Sequence, residues 1–176
     1  MVLSHEEYDV DLLDGQGQVI GTKKRGEVNK QTDILHGVYV LVFSPAGKLI
    51  LSRIPQAPEK GKLYGGKLGG TAATVVRHDE PRDVAARRVL ATELFIDYAD
   101  LTFLGQTFHF YKDGVRRLVS AYYCVYKETL MKNPEEQDDL VPMTREEVAA
   151  AIASSPDQFS QPFLGIWHDY ANELPF

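Results

Sequence analysis

The segment EPRDVAARRVLATELFI, residues 80–96, has the pattern of an amphipathic helix and fixes the place of the other elements. Pro81 suits the first helical turn, where its missing N–H is not needed. Positions 89, 92 and 93 are three and four residues apart, so they share one helical face. Three glutamates on such a face would suit a divalent cation. Only Glu93 is acidic here, because Val89 and Thr92 stand at the other two positions.

The remaining segments predict strands around this helix, which should run to about Leu94. We expect an N-terminal hairpin over 8–22, buried strands over 36–44 and 48–54, a short strand over 71–76, a hairpin with an Asp-Gly turn over 100–128, and closing helices over 144–155 and 161–174. Thr144 and Glu147 have the spacing of a capping box. The order of elements predicts an α+β fold with helices packed on a mixed sheet. No linker rich in Pro, Gly or Ser divides it, so one domain over 1–176 is expected.

Composition and charge narrow the classes of function. The chain has 176 residues, enough for one well-buried core, and a formal net charge of -6. That charge argues against a nucleic-acid backbone as partner but leaves small anionic substrates open. Cys124 is the only cysteine, which excludes an internal disulfide, and its apolar surroundings place it in the core. The N-terminus lacks a signal-peptide pattern and no apolar run could span a bilayer, so we expect a cytoplasmic protein with no membrane partner.

The helix resembles the signature of the Nudix superfamily. That signature is a glycine, five residues, a glutamate, seven residues, Arg-Glu, an apolar residue, any residue, Glu-Glu, any residue, a glycine and an apolar residue. Glu80, Arg88 and Glu93 match its charged positions. Two glutamates of the signature are missing, and Thr74 and Phe95 replace its glycines. The box is therefore degenerate.

The resemblance covers nearly the whole chain. Segments 8–25, 34–53, 138–152 and 159–163 resemble the Nudix branch that includes isopentenyl diphosphate isomerase. The resemblance implies a Nudix-like α/β/α sandwich with a mixed β-sheet and an N-terminal hairpin. Isomerase activity is not favoured, because that enzyme has a cysteine beside the first glycine and a metal site rich in histidine. Here His36 matches one such histidine, but Asn29 replaces another and 71–76 reads TAATVV.

The resemblance also implies catalytic and metal-binding residues. Glu93 would hold Mg²⁺ or Mn²⁺ weakly, helped by Glu80 and by Asp139 from the acidic loop 135–139, and Arg88 would orient a catalytic glutamate. Each has a structural alternative. Glu93 or Arg88 could form a purely structural ion pair, Glu80 could interact with the helix dipole, and the acidic loop could be solvated.

Arg53, Lys67 and Tyr64 are the predicted substrate-binding residues. Arg53 matches a position where the family often directs a base toward substrate phosphate, and Lys67, like Lys62, lies in a Gly-rich loop whose N–H groups could approach an anion. Tyr64 could stack on a nucleobase. The alternatives are a surface arginine and a tyrosine in the sheet core. The P-loop pattern is absent from the sequence.

These features support two functions of different classes. The first is a Nudix-type hydrolase of a nucleoside diphosphate-linked substrate, with a depleted divalent-metal site and a small phosphorylated molecule as its ligand. The alternative is a non-catalytic Nudix module that binds a nucleotide or a protein. N-terminal hairpins and sheet edges often support dimers, so the sequence also allows a homodimer.

Overall fold

A computed structural model describes residues 7–56 and 64–176 of the chain; Lys62 lies outside them. The strands are β1 Asp9–Leu13, β2 Val19–Lys24, β3 Leu35–Phe43, β4 Leu49–Arg53, β5 Leu68–Gly69, β6 Ala72–Val75, β7 Thr102–Phe110, β8 Arg116–Val125 and β9 Asp139–Met143. The α-helices are α1 Arg82–Leu94, α2 Arg145–Ser154 and α3 Gln161–Tyr170. Among the described residues, no helix has the length and apolar character needed to cross a membrane.

The strands form a two-stranded hairpin, β1–β2, and one large mixed sheet. The large sheet has the order β5–β4–β3–β8–β7, with β6 also paired to β3 and β9 to β4. Strands β3 and β8 run parallel, whereas the other pairs are antiparallel. One edge of β3 is shared, because Gly37–Val40 pairs with β6 and Val42–Phe43 pairs with β4. The chain therefore changes strand at the middle of β3, which is where the candidate site lies.

Alternation along β3 places its side chains in two separate hydrophobic clusters. Val38, Val40 and Val42 pack with α1 on one face of the sheet. Leu41 and Phe43 pack with α2 and α3 on the other. Because both faces are covered by helices, the predicted α+β fold with an α/β/α sandwich, a mixed sheet and an N-terminal hairpin is confirmed.

Most predicted elements agree with the structure, but two strands were missed. The capping box of α2 is present, since Thr144 accepts from the backbone N–H of Glu147 and Glu147 accepts from that of Thr144. Strand β5 has only two residues, which is too short for a periodic signal. Strand β9 contains Pro142, which sequence patterns assign to loops. A proline is compatible with a strand that has a neighbour on one side only, and among the described residues β9 pairs with β4 alone.

Helix α1 ends where Phe95 adopts a left-handed conformation, with φ of 55°. The backbone N–H groups of Phe95 and Ile96 both donate to the carbonyl of Leu90. Phe95 occupies the position of the second glycine in the Nudix signature. A left-handed conformation costs a residue with a Cβ roughly 1–2 kcal/mol, which explains why glycine suits this position.

We therefore expect Phe95→Gly to be more stable than Phe95→Ala by about 1 kcal/mol, because both remove the half-exposed ring but only glycine removes the left-handed strain. Urea unfolding of the two variants measures the difference. The alanine variant is the matched control, and a glycine variant that unfolds at lower urea than the alanine variant would contradict the explanation.

Candidate functional site

Glu80 and Arg88 form a two-pronged ion pair at the start of α1. Arg88 Nε donates to Glu80 Oε1 at 2.7 Å, and Nη2 donates to Oε2 at 2.8 Å. The same guanidinium donates to Thr74 Oγ1 at 3.2 Å and to the carbonyl of Val75 at 3.0 Å. The Glu80 side chain is only 11% exposed. The pair thus fixes the first half of α1 to strand β6.

The charges around Glu80 keep it ionised. Burial alone would raise the pKa of this carboxyl. Hydrogen bonds from Arg88 and from the backbone N–H of Arg77, together with the charges of both arginines, hold the pKa below its ordinary value. Both carboxylate oxygens therefore already accept hydrogen bonds from the protein.

The start of the segment 133–139, which contains the acidic loop, docks on the C-terminal end of α1. The backbone N–H of Asn133 donates to the carbonyl of Glu93 at 2.8 Å, and its side-chain amide donates to the carbonyl of Thr92 at 3.1 Å. The last carbonyls of a helix have no partner within the helix, so this loop satisfies two of them. As a result the following residues, Glu136 and Gln137, are carried to the side of Glu93.

Gln137 connects this loop to the sheet and to Glu93. Its side chain is 1% exposed, and Nε2 donates to the carbonyl of Thr71 at 2.6 Å and to Glu93 Oε2 at 3.4 Å. The amide orientation is fixed, because both partners are acceptors. Gln137 Oε1 is buried and makes no hydrogen bond with the described residues. Sequence analysis missed this residue, since a glutamine in an acidic loop carries no signal of burial.

Glu93 and Glu136 line one cavity of about 160 Å³, together with Ser52 and the backbone near Gly69 and Gly70. The acidic loop thus reaches the cavity through Glu136. The predicted ligand Asp139 is instead the first residue of β9, where its exposed side chain accepts from the N–H of Leu140.

A second cavity of about 220 Å³ lies next to the first. The two share a wall formed by Tyr39, Tyr64, Ala73 and Pro162. Arg117 and Tyr111 line the second cavity and not the first. The predicted residue Tyr64 thus stands between an acidic and a basic, aromatic compartment, and burial with the charge of Asp113 raises its pKa to about 12, so its hydroxyl stays neutral.

The other two predicted substrate-binding residues brace loops. Arg53 Nη1 donates to the carbonyl of Gly66 at 3.1 Å. Lys67 Nζ donates to the carbonyl of Asp157 at 2.7 Å. Neither lines the two cavities, so their contact with a phosphate stays a prediction.

Comparison with known proteins supports the resemblance. An uncharacterised Nudix hydrolase of Yersinia pestis is 29% identical over 168 residues, which cover 95% of this chain and 89% of the relative. The crystal structure of DR0079 from Deinococcus radiodurans has a TM-score of 0.75 at 18% identity, covering 92% of this chain and 99% of that one. The chain has the Nudix fold and resembles the Nudix hydrolases in sequence.

Further Nudix structures agree in fold. A MutT NUDIX hydrolase from Burkholderia pseudomallei has a TM-score of 0.61 at 17% identity, covering 77% of this chain and 97% of its own. The NUDIX domain of Shewanella oneidensis NrtR, solved with ADP ribose, has a TM-score of 0.60 at 13% identity, covering 86% and 93%. No family model matches the chain.

The residues of α1 limit what can hold a metal. In the parts of the chain that the structure describes, no group of three or more His, Cys, Asp or Glu side chains could hold a metal ion. Val89 stands at a position where the signature has a glutamate. It is only 1% exposed and packs in the hydrophobic cluster between α1 and the sheet. A metal site of protein ligands alone therefore does not fit. Mg²⁺ is often bound by one or two carboxylates plus substrate phosphates, and Glu93 with Glu136 fits that shared arrangement.

His36 has a structural partner. His36 Nε2 lies 2.8 Å from Ser120 Oγ. Burial, with the charge of Arg82, lowers the pKa of His36 to about 4, so the ring is neutral at pH 7. The geometry thus gives His36 a hydrogen bond inside the sheet.

We expect Glu80→Gln to lower the free energy of unfolding by about 2 kcal/mol at pH 7, because it breaks a largely buried charged pair. Glu80 has a lowered folded-state pKa, so its contribution is present above the ordinary value of 4.5 and is lost as the pH falls through the folded value. Denaturant unfolding across that acidic range should show a shallower pH dependence in the variant.

Asp83→Asn is the matched control, because Asp83 is an exposed carboxylate in the first turn of the same helix. The explanation would be wrong if the two variants lost the same stability or if Glu80→Gln kept the wild-type slope with pH.

Proposed function

We propose that this chain is a Nudix-type hydrolase of a nucleoside diphosphate-linked substrate. The observation that supports this most is the adjacency of the two cavities, which have Tyr39, Tyr64, Ala73 and Pro162 in common as lining residues. A diphosphate at the acidic end would leave the group attached to it within reach of the aromatic end. That division of space matches a molecule with a charged bridge between two larger parts.

Glu93 and Glu136 are the proposed holders of Mg²⁺ or Mn²⁺, together with the substrate's phosphates. Such a cation supplies charge neutralisation at the diphosphate and a more reactive water. Gln137 donates toward Glu93 and holds the loop against Thr71, so it positions the carboxylate. Affinity for the metal in the absence of substrate should be weak. The protein offers the carboxylates of Glu93 and Glu136, and it lacks the two signature glutamates at positions 89 and 92.

Glu80 and Arg88 act in this proposal as positioning residues. Their pair sets the start of α1 against Thr74 and Val75, and the far end of the same helix carries Glu93. The direct metal role predicted for Glu80 is less favoured by this geometry, since both of its oxygens accept hydrogen bonds from arginine residues.

A non-catalytic module is the second candidate. Its support is the absence, among the described residues, of a three-ligand metal group, together with the burial of Val89. In that case the same cleft would bind a nucleotide without turning it over. The two candidates differ in one measurable property, which is phosphate-bond hydrolysis in the presence of a divalent metal.

We expect wild-type protein with Mg²⁺ or Mn²⁺ to hydrolyse at least one compound in a screen of nucleotide sugars, dinucleoside polyphosphates and nucleoside di- and triphosphates. Glu93→Gln should then lower kcat by about a hundredfold or more, because the amide has nearly the shape of the carboxylate but lacks the charge that holds the metal. Release of phosphate or nucleoside monophosphate is the readout.

Glu146→Gln serves as the control, since it removes one exposed charge on α2, outside the cleft. Nucleotide binding without hydrolysis, with Mg²⁺ as well as with Mn²⁺, would favour the non-catalytic module. If turnover occurs and Glu93→Gln retains it, Glu93 has no part in the mechanism.

A further inference from the structure

We propose that the cavity around Arg117 binds a second anionic group, a carboxylate or a terminal phosphate, on the part of the substrate that lies beyond the diphosphate. The substrate class narrows accordingly to nucleoside diphosphates whose attached group ends in an anion. The identification of the substrate as a nucleoside diphosphate rests on the proposed function, whereas the anion site rests on the residues that line the cavity.

Arg117 reaches the cavity from the start of β8, in the middle of the sheet. Its backbone is paired with Leu35 on one side and with His109 on the other, so the position of its Cα is fixed. Its Nη1 donates to the carbonyl of Arg116 at 2.9 Å. A guanidinium has several further N–H donors, and among the described residues none of them forms an ion pair with a carboxylate.

The electrostatic surroundings of Arg117 favour an anion. Burial lowers the pKa of Arg117, and the positive charge of Arg25 lowers it further. Asp113 also lines the cavity and its charge raises the pKa of Arg117, but its side chain is exposed and its Oδ1 already accepts from the backbone N–H of Val115 at 3.1 Å. A cation held in a partly buried site is costly without a partner, so an anionic ligand would offset that cost through charge-assisted hydrogen bonds.

The aromatic walls provide donors as well as contact area. Burial raises the pKa of Tyr39 and Tyr111, so both hydroxyls stay protonated and can donate. The hydroxyl of Tyr111 is buried and lies close enough to the hydroxyl of Tyr39 for the two to interact. The two hydroxyls line the same cavity, so in this proposal a ligand oxygen accepts from this pair.

The size of the cavity fits a group and not a whole nucleotide. Its volume is about 220 Å³, below the roughly 300–1,000 Å³ of sites that enclose a drug-sized ligand. The adjoining acidic cavity would hold the diphosphate, so the two anionic parts of one substrate would occupy opposite ends of the cleft. A sugar acid or a terminal phosphomonoester has the required chemistry.

Calorimetric titration of charge-matched pairs tests the site. UDP-glucuronate against UDP-glucose tests a carboxylate, and ADP-ribose 1″-phosphate against ADP-ribose tests a phosphate on the attached group, each with Mg²⁺ present. We expect the anionic member of at least one pair to bind at least about tenfold more tightly. Arg117→Gln should remove that preference and leave the affinity for the neutral member unchanged.

Arg116→Gln is the matched control, because it removes the same charge from the adjacent residue, which does not line the cavity; it should keep the preference. Glu93→Gln separates this proposal from the hydrolase, since it should lose turnover while still binding the anionic member more tightly. Equal affinities within both pairs, or no binding by any member, would overturn the anion site, as would an Arg117→Gln variant that weakens both members equally. The comparison of ligands on wild-type protein gives this answer even if that variant does not fold.

Discussion

The geometry of the site depends on the ion pair between Glu80 and Arg88. It joins the start of α1 to β6 through four hydrogen bonds of one guanidinium, two of them to the carboxylate. Helix α1 has its hydrophobic face against the sheet, but apolar contacts alone would tolerate a shift along the helix axis. A paired guanidinium tolerates no such shift, because its donors have fixed directions. Glu93 follows Arg88 on α1 by roughly 1.4 helical turns, so its position follows from that anchoring.

The two glycines of the Nudix signature have been replaced at positions with different structural demands. At the first, Thr74 lies in β6, and its hydroxyl accepts from Arg88, so the replacement joins the ion-pair network. At the second, Phe95 keeps the left-handed conformation that a glycine would adopt without strain. Phe95 therefore carries a backbone strain that a glycine at this position would avoid.

The sequence was sufficient for the parts of the fold that depend on periodicity and spacing. The bounds of α1 and the capping box at Thr144 follow from residues a few positions apart, whereas the pairing of Glu80 with Arg88 was seen only in the structure. What it could not supply were contacts set by a loop in three dimensions. Glu136 and Asp139 are both acidic and close in sequence, yet only Glu136 lines the cavity, because Asn133 holds the loop on α1 and Asp139 has already entered β9. Arg117 was inconspicuous for the same reason, since a strand position does not reveal which cavity its side chain enters.

The two ends of the cleft carry opposite charge, and this asymmetry limits what can bind there. In the proposed function, phosphates bind at the end lined by Glu93 and Glu136 together with a cation, because like charges repel. In the proposal for the second cavity, Arg117 and the neutral tyrosine hydroxyls bind an anion without a metal. Under both proposals, a substrate with two separated anionic parts would bind first through the end lined by Arg117 and then through the metal-dependent end. The order matters because phosphates already held near Glu93 complete the cation's shell, which the protein's own carboxylates leave incomplete.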